Sequence, residues 1–424
     1  MDSVSENSLL LRGARIIVLD RAIEHGALLI ESGRIARVFE NSNDLPAADS
    51  VLDLAGLTLF PGFIDVHIHG AMGVDTMAAS ANDLRRVAEF LARNGVTSWL
   101  PTLVPSPTED YQRAIDAIEQ SMAQSSVDDT ERRSEYRLQS GFADPERDPT
   151  KVGTLNTCHA RILGVHYEGP FVSSEQCGAL HREHFRTFSG GAEVDALPTI
   201  KNESVVHMMT LAPEIDGGIE LVKELRQRGW IVSIGHTRAT VDVLDQALAA
   251  GARHMTHFMN AMTPLHHRAP GPVGWGLLHD DVTCDVIADG VHIDPLMLKL
   301  ILQTKTADRV SLISDAIAAA GLGDGDYAVW GEKISVNNGR TQNARGSIAG
   351  SVITMLDAVR MMSSLGASEV EVARMASTNP ARLLGIDHDC GSIEEGKRAD
   401  LVALDQDGNV KLTIIGGQVS EARP

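Results

Sequence analysis

Apolar runs that end on a histidine, a glutamate or an aspartate recur along this chain, and strands with their chemistry at the far end restrict the fold severely. In Pro61-Gly-Phe-Ile-Asp65-Val-His67-Ile-His69 two histidines one residue apart close such a run. Residues i and i+2 of a β-strand face the same side, so both imidazoles converge on one point. An isolated His-x-His pair can be two solvated side chains. Here Glu168 in His166-Tyr-Glu-Gly-Pro-Phe171, His236 in Ser233-Ile-Gly-His-Thr237, His257 in Met255-Thr-His-Phe-Met-Asn260 and Asp315 in Ser314-Asp-Ala316 each close a run of their own. Imidazoles and carboxylates in equivalent positions suit a metal site.

Eight β-like runs alternate with helical periodicity: 59–67, 96–102, 161–168, 205–212, 230–236, 253–258, 283–289 and 309–315. Helical patterns cover 81–94, 108–124, 217–228, 241–250 and 295–303. Eight βα units predict an α/β fold, a (β/α)8 TIM-like barrel, in which chemistry gathers at the C-terminal ends of the strands. His67 and His69, Glu168, His236, His257 and Asp315 then close strands one, three, five, six and eight. The two ends of the chain share a different texture of short alternating strands punctuated by glycine, which predicts a small β-sandwich domain built from 1–58 and 391–424 around a barrel domain of 59–390. The polar, charged segment 124–156 does not fit the repeat. Following the second helix, it belongs on the face opposite the catalytic mouth, and we expect a disordered or subunit-contacting insertion there.

The net charge of −20 argues against nucleic acid or an anionic membrane as partner, and an anionic substrate needs a local basic pocket. No apolar stretch approaches the roughly 20 residues of a membrane span. The first residues, Met1-Asp-Ser-Val-Ser-Glu6, lack the basic start of a secretory signal. Cys158, Cys177, Cys284 and Cys390 are scattered without a Cys-x-x-Cys pair, which reads as reduced thiols in a cytoplasmic protein.

With these motifs on these strand ends, the chain resembles the amidohydrolase superfamily and, within it, the family that deacetylates N-acetylglucosamine 6-phosphate. Beyond the segments quoted above, the resemblance rests on Leu211-Ala-Pro-Glu214, His257-Phe-Met-Asn-Ala-Met262, Ala288-Asp-Gly-Val-His292, Ile348-Ala-Gly-Ser351, Thr378-Asn-Pro-Ala-Arg382 and Gly391-Ser-Ile-Glu-Glu-Gly-Lys-Arg-Ala-Asp400. It implies that Glu168, His236 and His257 hold the principal divalent metal and that His67 and His69, with Glu168 bridging, hold a second if two are bound. Zinc is the first choice for these ligands, and iron(II) fits them too. It also implies that Asp315 transfers protons during hydrolysis of an acetamide. Asn260, Ala261, Arg268 and His292 are expected to hold the sugar phosphate, Arg268 reaching in from a neighbouring subunit, so that a homodimer or higher homo-oligomer is implied.

One departure from the family pattern stands out. Its Gly-Ala-His is here Gly178-Ala-Leu-His181, leading into Arg182-Glu-His184-Phe-Arg186. The extra leucine puts in question whether His181 takes the substrate-contacting place. The basic run suits recognition of another anion or a larger sugar, and equally a helix face paired with acids elsewhere. The expected reaction is therefore release of acetate from N-acetylglucosamine 6-phosphate. The alternatives are another N-acyl amino sugar, such as N-acetylgalactosamine 6-phosphate or an unphosphorylated sugar, and a non-catalytic sugar-phosphate sensor.

Overall fold

A computed structural model describes residues 8–41, 44–139, 158–202 and 204–421. Eight parallel strands follow one another in chain order around a barrel: Phe63–Ile68, Val96–Leu103, Gly164–Glu168, Val206–Leu211, Ile231–Ile234, His254–Met255, Thr283–Ile287 and Val310–Ile313. The seam between the last and the first closes just beyond the strand ends. There the Asp315 N–H donates to the His67 carbonyl at 2.9 Å, and the His69 N–H to the Ala316 carbonyl at 2.8 Å. The expected (β/α)8 barrel is the architecture of the protein.

Helices return the chain from each strand to the next. The first, Ala81–Arg93, starts where Ser80 and Asp83 satisfy each other's backbone N–H groups, and it buries Leu84, Val87, Ala88, Leu91 and Ala92 at helical spacing. Helices Gly218–Gln227 and Val241–Ala250 match the periodicity read from the sequence, and Pro295–Lys305 runs two residues beyond it. The second helix departs further from expectation. It continues through the start of the insertion to Gln139, so residues 124–139 are helical where a disordered or subunit-contacting insertion was expected. No glycine or proline interrupts the chain between Pro107 and Gly141, and nothing local stops the helix. The rest of the insertion, 140–156, lies outside the described residues, as do any subunit contacts it makes.

Strand one also differs from its apolar run. Thr58–Pro61 belongs to the sheet of the chain ends, whereas Phe63–Ile68 enters the barrel. Gly62 makes the break: its N–H donates to the Asp400 carbonyl at 2.9 Å, and a Cβ there would collide with Thr97. The β domain of the termini is an eight-stranded sheet in which Thr58–Pro61 pairs antiparallel with Leu401–Leu404, stitching the two chain ends together. Leu11, Ile16, Leu28, Ile30, Leu59, Leu401 and Ile414 share its core. Past strand eight, three antiparallel strands, Gly325–Val329, Glu332–Asn337 and Arg340–Asn343, form a small sheet that the periodicity did not announce. No helix among the described residues is long and apolar enough to cross a membrane.

Candidate metal centre

The residues at the strand ends meet at the barrel mouth. Glu168 is the hub: its Oε1 lies 2.8 Å from His236 Nε2, 2.9 Å from His257 Nε2 and 3.8 Å from His67 Nε2, and its Oε2 lies 3.3 Å from His69 Nε2. Two ligand groups result, His67–His69–Glu168 and Glu168–His236–His257, with every member buried. The Nε2 atoms of His67 and His69 approach to 3.2 Å, which fulfils the convergence expected of a His-x-His strand end. Asp315 joins them, with Oδ1 3.2 Å from His69 Nε2 and 3.4 Å from His67 Nε2.

Backbone geometry aims three of these side chains. His236, His257 and Asp315 have φ of 48°, 31° and 49°, a left-handed conformation that residues other than glycine rarely adopt and that is retained at functional sites when the surroundings enforce it. His236 donates from Nδ1 to the Gln176 carbonyl at 2.7 Å, which fixes the ring and turns Nε2 towards Glu168. The backbone N–H of His257 donates to Asp285, a fully buried carboxylate that also pairs with His254 Nε2 at 3.0 Å. His254 in turn bonds Thr283 through Nδ1 at 2.7 Å. Below Glu168, His166, Thr210, Thr256 and Ser233 form a hydrogen-bonded chain across four strands, at 2.8, 2.7 and 2.5 Å. Burial pushes the His166 imidazole well below its ordinary value, so it stays neutral.

The cluster is a slot for positive charge. Burial favours a neutral Glu168, yet hydrogen bonds from His236, His257, His67 and His69 hold its carboxyl well below the usual range. Burial pulls the His69 imidazole down, but bonds to Asp315 and Glu168 and their charges more than reverse this, carrying it to about 10. His257 rises to about 9 against its own burial because of Glu168, Asp315 and Asp285. Burial also opposes ionisation of Asp315, and the charges of His67 and His69 keep it below its ordinary value nonetheless. Carboxylates that hold protons on buried imidazoles satisfy a divalent cation equally well, the protons leaving as the ion enters. Two imidazoles and a carboxylate per group, with nitrogen and oxygen donors only, fit zinc and iron(II) alike.

The residues expected at the substrate end are distributed differently. Asn260 and Ala261 follow directly on His257: the Asn260 N–H donates to the His257 carbonyl at 2.8 Å, and the Ala261 carbonyl accepts from Thr237 N–H at 3.1 Å. The Asn260 Nδ2 is buried without a partner. His292, beyond strand seven, donates from Nδ1 to Asp289 at 2.7 Å. Arg268 stands on an exposed loop beside His267. Leu180 is buried in the barrel core, and His181 faces Glu183 and Glu332, at 3.2 and 3.6 Å, the latter on the small three-stranded sheet. The run after it forms a single turn, Arg182–His184, with Arg182 Nε 3.1 Å from the Cys177 sulfur.

Three contributors went unread in the sequence. Asp65 is fully buried and accepts from the Ser314 hydroxyl at 2.6 Å. Asp285 supports His257 through a backbone bond that composition cannot reveal. Trp330, at the tip of the small sheet, sets its ring edge-on to His69 with centroids 5.1 Å apart. The first of these sat inside a motif that was already conspicuous; the other two carried no signal.

A barrel whose mouth gathers four imidazoles and two carboxylates defines a metal-dependent hydrolase, and the chain belongs to the amidohydrolase family, which matches it over residues 58–420. It is 34% identical to N-acetylglucosamine-6-phosphate deacetylase of Bacillus subtilis (strain 168), over 97% of both chains. It is also 34% identical to N-acetylgalactosamine-6-phosphate deacetylase of Escherichia coli O157:H7, over 97% of this chain and 98% of that one. Among solved structures, a mutant N-acetyl-D-glucosamine-6-phosphate deacetylase from Mycobacterium smegmatis in complex with N-acetyl-D-glucosamine-6-phosphate superposes with a TM-score of 0.82. That match is at 30% identity and covers 97% of this chain and 99% of the other.

Proposed function

We infer that this enzyme hydrolyses the acetamide of N-acetylglucosamine 6-phosphate, giving glucosamine 6-phosphate and acetate. The observation that carries the reading is Glu168 shared between two ligand groups with the Asp315 carboxylate beside them. Glu168, His236 and His257 hold the principal ion, and His67 and His69 with Glu168 hold a second when two are bound; zinc is our assignment. When bound, such an ion lowers the pKa of water from about 15.7 to near 7 and polarises a carbonyl.

The chain's own residues supply the proton chemistry. Asp315 is held as a carboxylate and accepts the proton of the attacking water. It returns that proton to the amide nitrogen, which then departs as the amine; without this step the C–N bond breaks slowly. Asn260 and Ala261 follow directly on a metal ligand, and we assign them, with His292 and Arg268, to the sugar phosphate. Asp289 fixes the His292 ring, and the Arg268 fork suits a phosphate bidentately. We place Arg268 across the interface of a cytoplasmic homodimer, which sedimentation of the wild-type protein and of Arg268→Ala tests. We also assign His181 to the substrate side, its ring set between Glu183 and Glu332.

The experiment is acetate release by metal-loaded protein from N-acetylglucosamine 6-phosphate, its galacto epimer and the unphosphorylated sugar. The epimer is the second reading, favoured by the equal identity of the Escherichia coli relative. A kcat/KM higher for the epimer overturns the first assignment.

A further inference from the structure

Asp315 is tied at both of its peptide groups. Its N–H donates to the His67 carbonyl at 2.9 Å, and its carbonyl accepts from the Ser351 N–H at 2.7 Å. Ser351 reaches the preceding peptide as well, its hydroxyl donating to the Ser314 carbonyl at 2.5 Å and accepting from the Ile353 N–H at 3.2 Å. One residue therefore grips two consecutive carbonyls, those of Ser314 and Asp315, on either side of the φ of 49° that turns the carboxylate into the cluster. Asp65 grips the same turn from the opposite side, through the Ser314 hydroxyl at 2.6 Å and the Ser314 N–H at 3.3 Å.

The approach of Ser351 is sequence-encoded. Gly350, at φ 56°, passes so close that a Cβ would lie 2.8 Å from the Asp315 carbonyl oxygen and 2.6 Å from the Ile317 side chain. Ser351 itself is 1% exposed. Its hydroxyl is not the cap of the following helix, Met355–Ser364, because Thr354 fills that role with Asp357. A pair of bonds to Asp315 and its neighbour, made by a residue that caps nothing, calls for another purpose.

We propose that Ser351 is a positioning residue for proton transfer: by clamping the 314–315 peptides it holds the Asp315 carboxylate at its place beside His67 and His69. This deepens the hydrolytic reading given above and rests on it. Ser351 touches neither substrate nor metal ligands in this role; it acts through Asp315, and displacing a reacting group by about 1 Å costs on the order of 100-fold in rate.

The test compares Ser351→Ala, Ser351→Thr and the wild type, metal-loaded, each alone and with Asp315→Asn, on N-acetylglucosamine 6-phosphate. Kinetics and bound metal per chain are both measured. We expect Ser351→Ala to lower kcat by about 10- to 100-fold with KM within about twofold and metal content unchanged. Ser351→Thr, which keeps the hydroxyl, restores most of the loss. In the Asp315→Asn background Ser351→Ala adds nothing, because the group it aims is gone. A kcat unchanged in Ser351→Ala overturns the proposal, as does a loss of metal, an equal loss in the Asp315→Asn background, or failure of Ser351→Ala to fold. If the wild type leaves N-acetylglucosamine 6-phosphate intact, the substrate reading falls by itself, and the same comparison is made on the acetylated sugar that is hydrolysed.

Discussion

The two ligand groups that share Glu168 are built unequally. On strands five and six, His236 and His257 lie within 2.9 Å of the carboxylate, one ring anchored through Nδ1 by Gln176 and the other residue held through its backbone by Asp285. On strand one, His67 and His69 stand 3.8 and 3.3 Å from it, with both Nδ1 atoms buried and without a partner. Partners on the far ring nitrogen orient a ligand and raise its basicity, and their loss costs about 10- to 100-fold in metal affinity. The strand-five and strand-six side thus differs by its shorter distances and by one ring anchor, that of His236: His257 Nδ1 is also buried without a partner, and the His67 backbone N–H is held by Asp65 at 3.3 Å much as that of His257 is by Asp285. The strand-one side lacks a ring anchor, and its nearest carboxylate is Asp315, 3.4 Å from His67 and 3.2 Å from His69.

Replacing the shared carboxylate breaks both halves at once. Glu168→Gln is expected to lower bound metal by more than about tenfold and to abolish turnover, by elemental analysis and an acetate-release assay. Retention of two ions per chain would falsify the shared-ligand arrangement. Asp315→Asn is expected to keep its metal and lose roughly 10²- to 10⁴-fold in kcat; comparable activity in that variant removes Asp315 from proton transfer. Deleting the 6-phosphate from the substrate is expected to lower kcat/KM by about 100-fold or more, since charged partners are left unpaired.

The comparison itself sharpens with His67→Ala/His69→Ala. We expect this double variant to retain the ion on Glu168, His236 and His257 while any second ion is lost, with metal titration as the measurement. Loss of all metal would mean that the two sides are equally loose. The smallest effect concerns stability. Burial works against ionisation of Asp289, but its bonds with His292 hold it below its ordinary value of 3.8. A depressed carboxylate stabilises the fold above its unfolded pKa, and that contribution is lost as pH falls through the lower folded value. Asp289→Asn should therefore be less stable than wild type by about 1 kcal/mol near neutrality, the gap closing below about pH 3.8 in urea titrations. A gap that persists at low pH assigns the effect to packing.

How much of this was legible follows from where each residue acts. His67, His69, Glu168, His236, His257 and Asp315 announced themselves because each ends an apolar run, and in a barrel strand ends share one rim. The break at Gly62 was hidden because Leu59-Phe60 and Phe63-Ile64 are equally apolar, and only the three-dimensional proximity of Asp400 and Thr97 separates them. The second helix outruns its expected end because polarity alone does not stop a helix where no breaker stands. Asp285, Ser351 and Asp65 work on backbone groups of other strands, and nothing in the order of side chains says which peptide a carboxylate or hydroxyl will meet. The sheet carrying Trp330 lacks the length and periodicity that identified the barrel strands.

Gly62 alone separates the last strand shared with the chain's other end from the strand that carries the histidine pair. The terminal sheet thus leads into the first barrel strand with a single residue between them, and trimming the C-terminal strand that pairs with Thr58–Pro61 is expected to shift the imidazoles without touching them. Fusion partners and cleavage sites at the C-terminus should be judged by their effect on ion binding at the opposite rim.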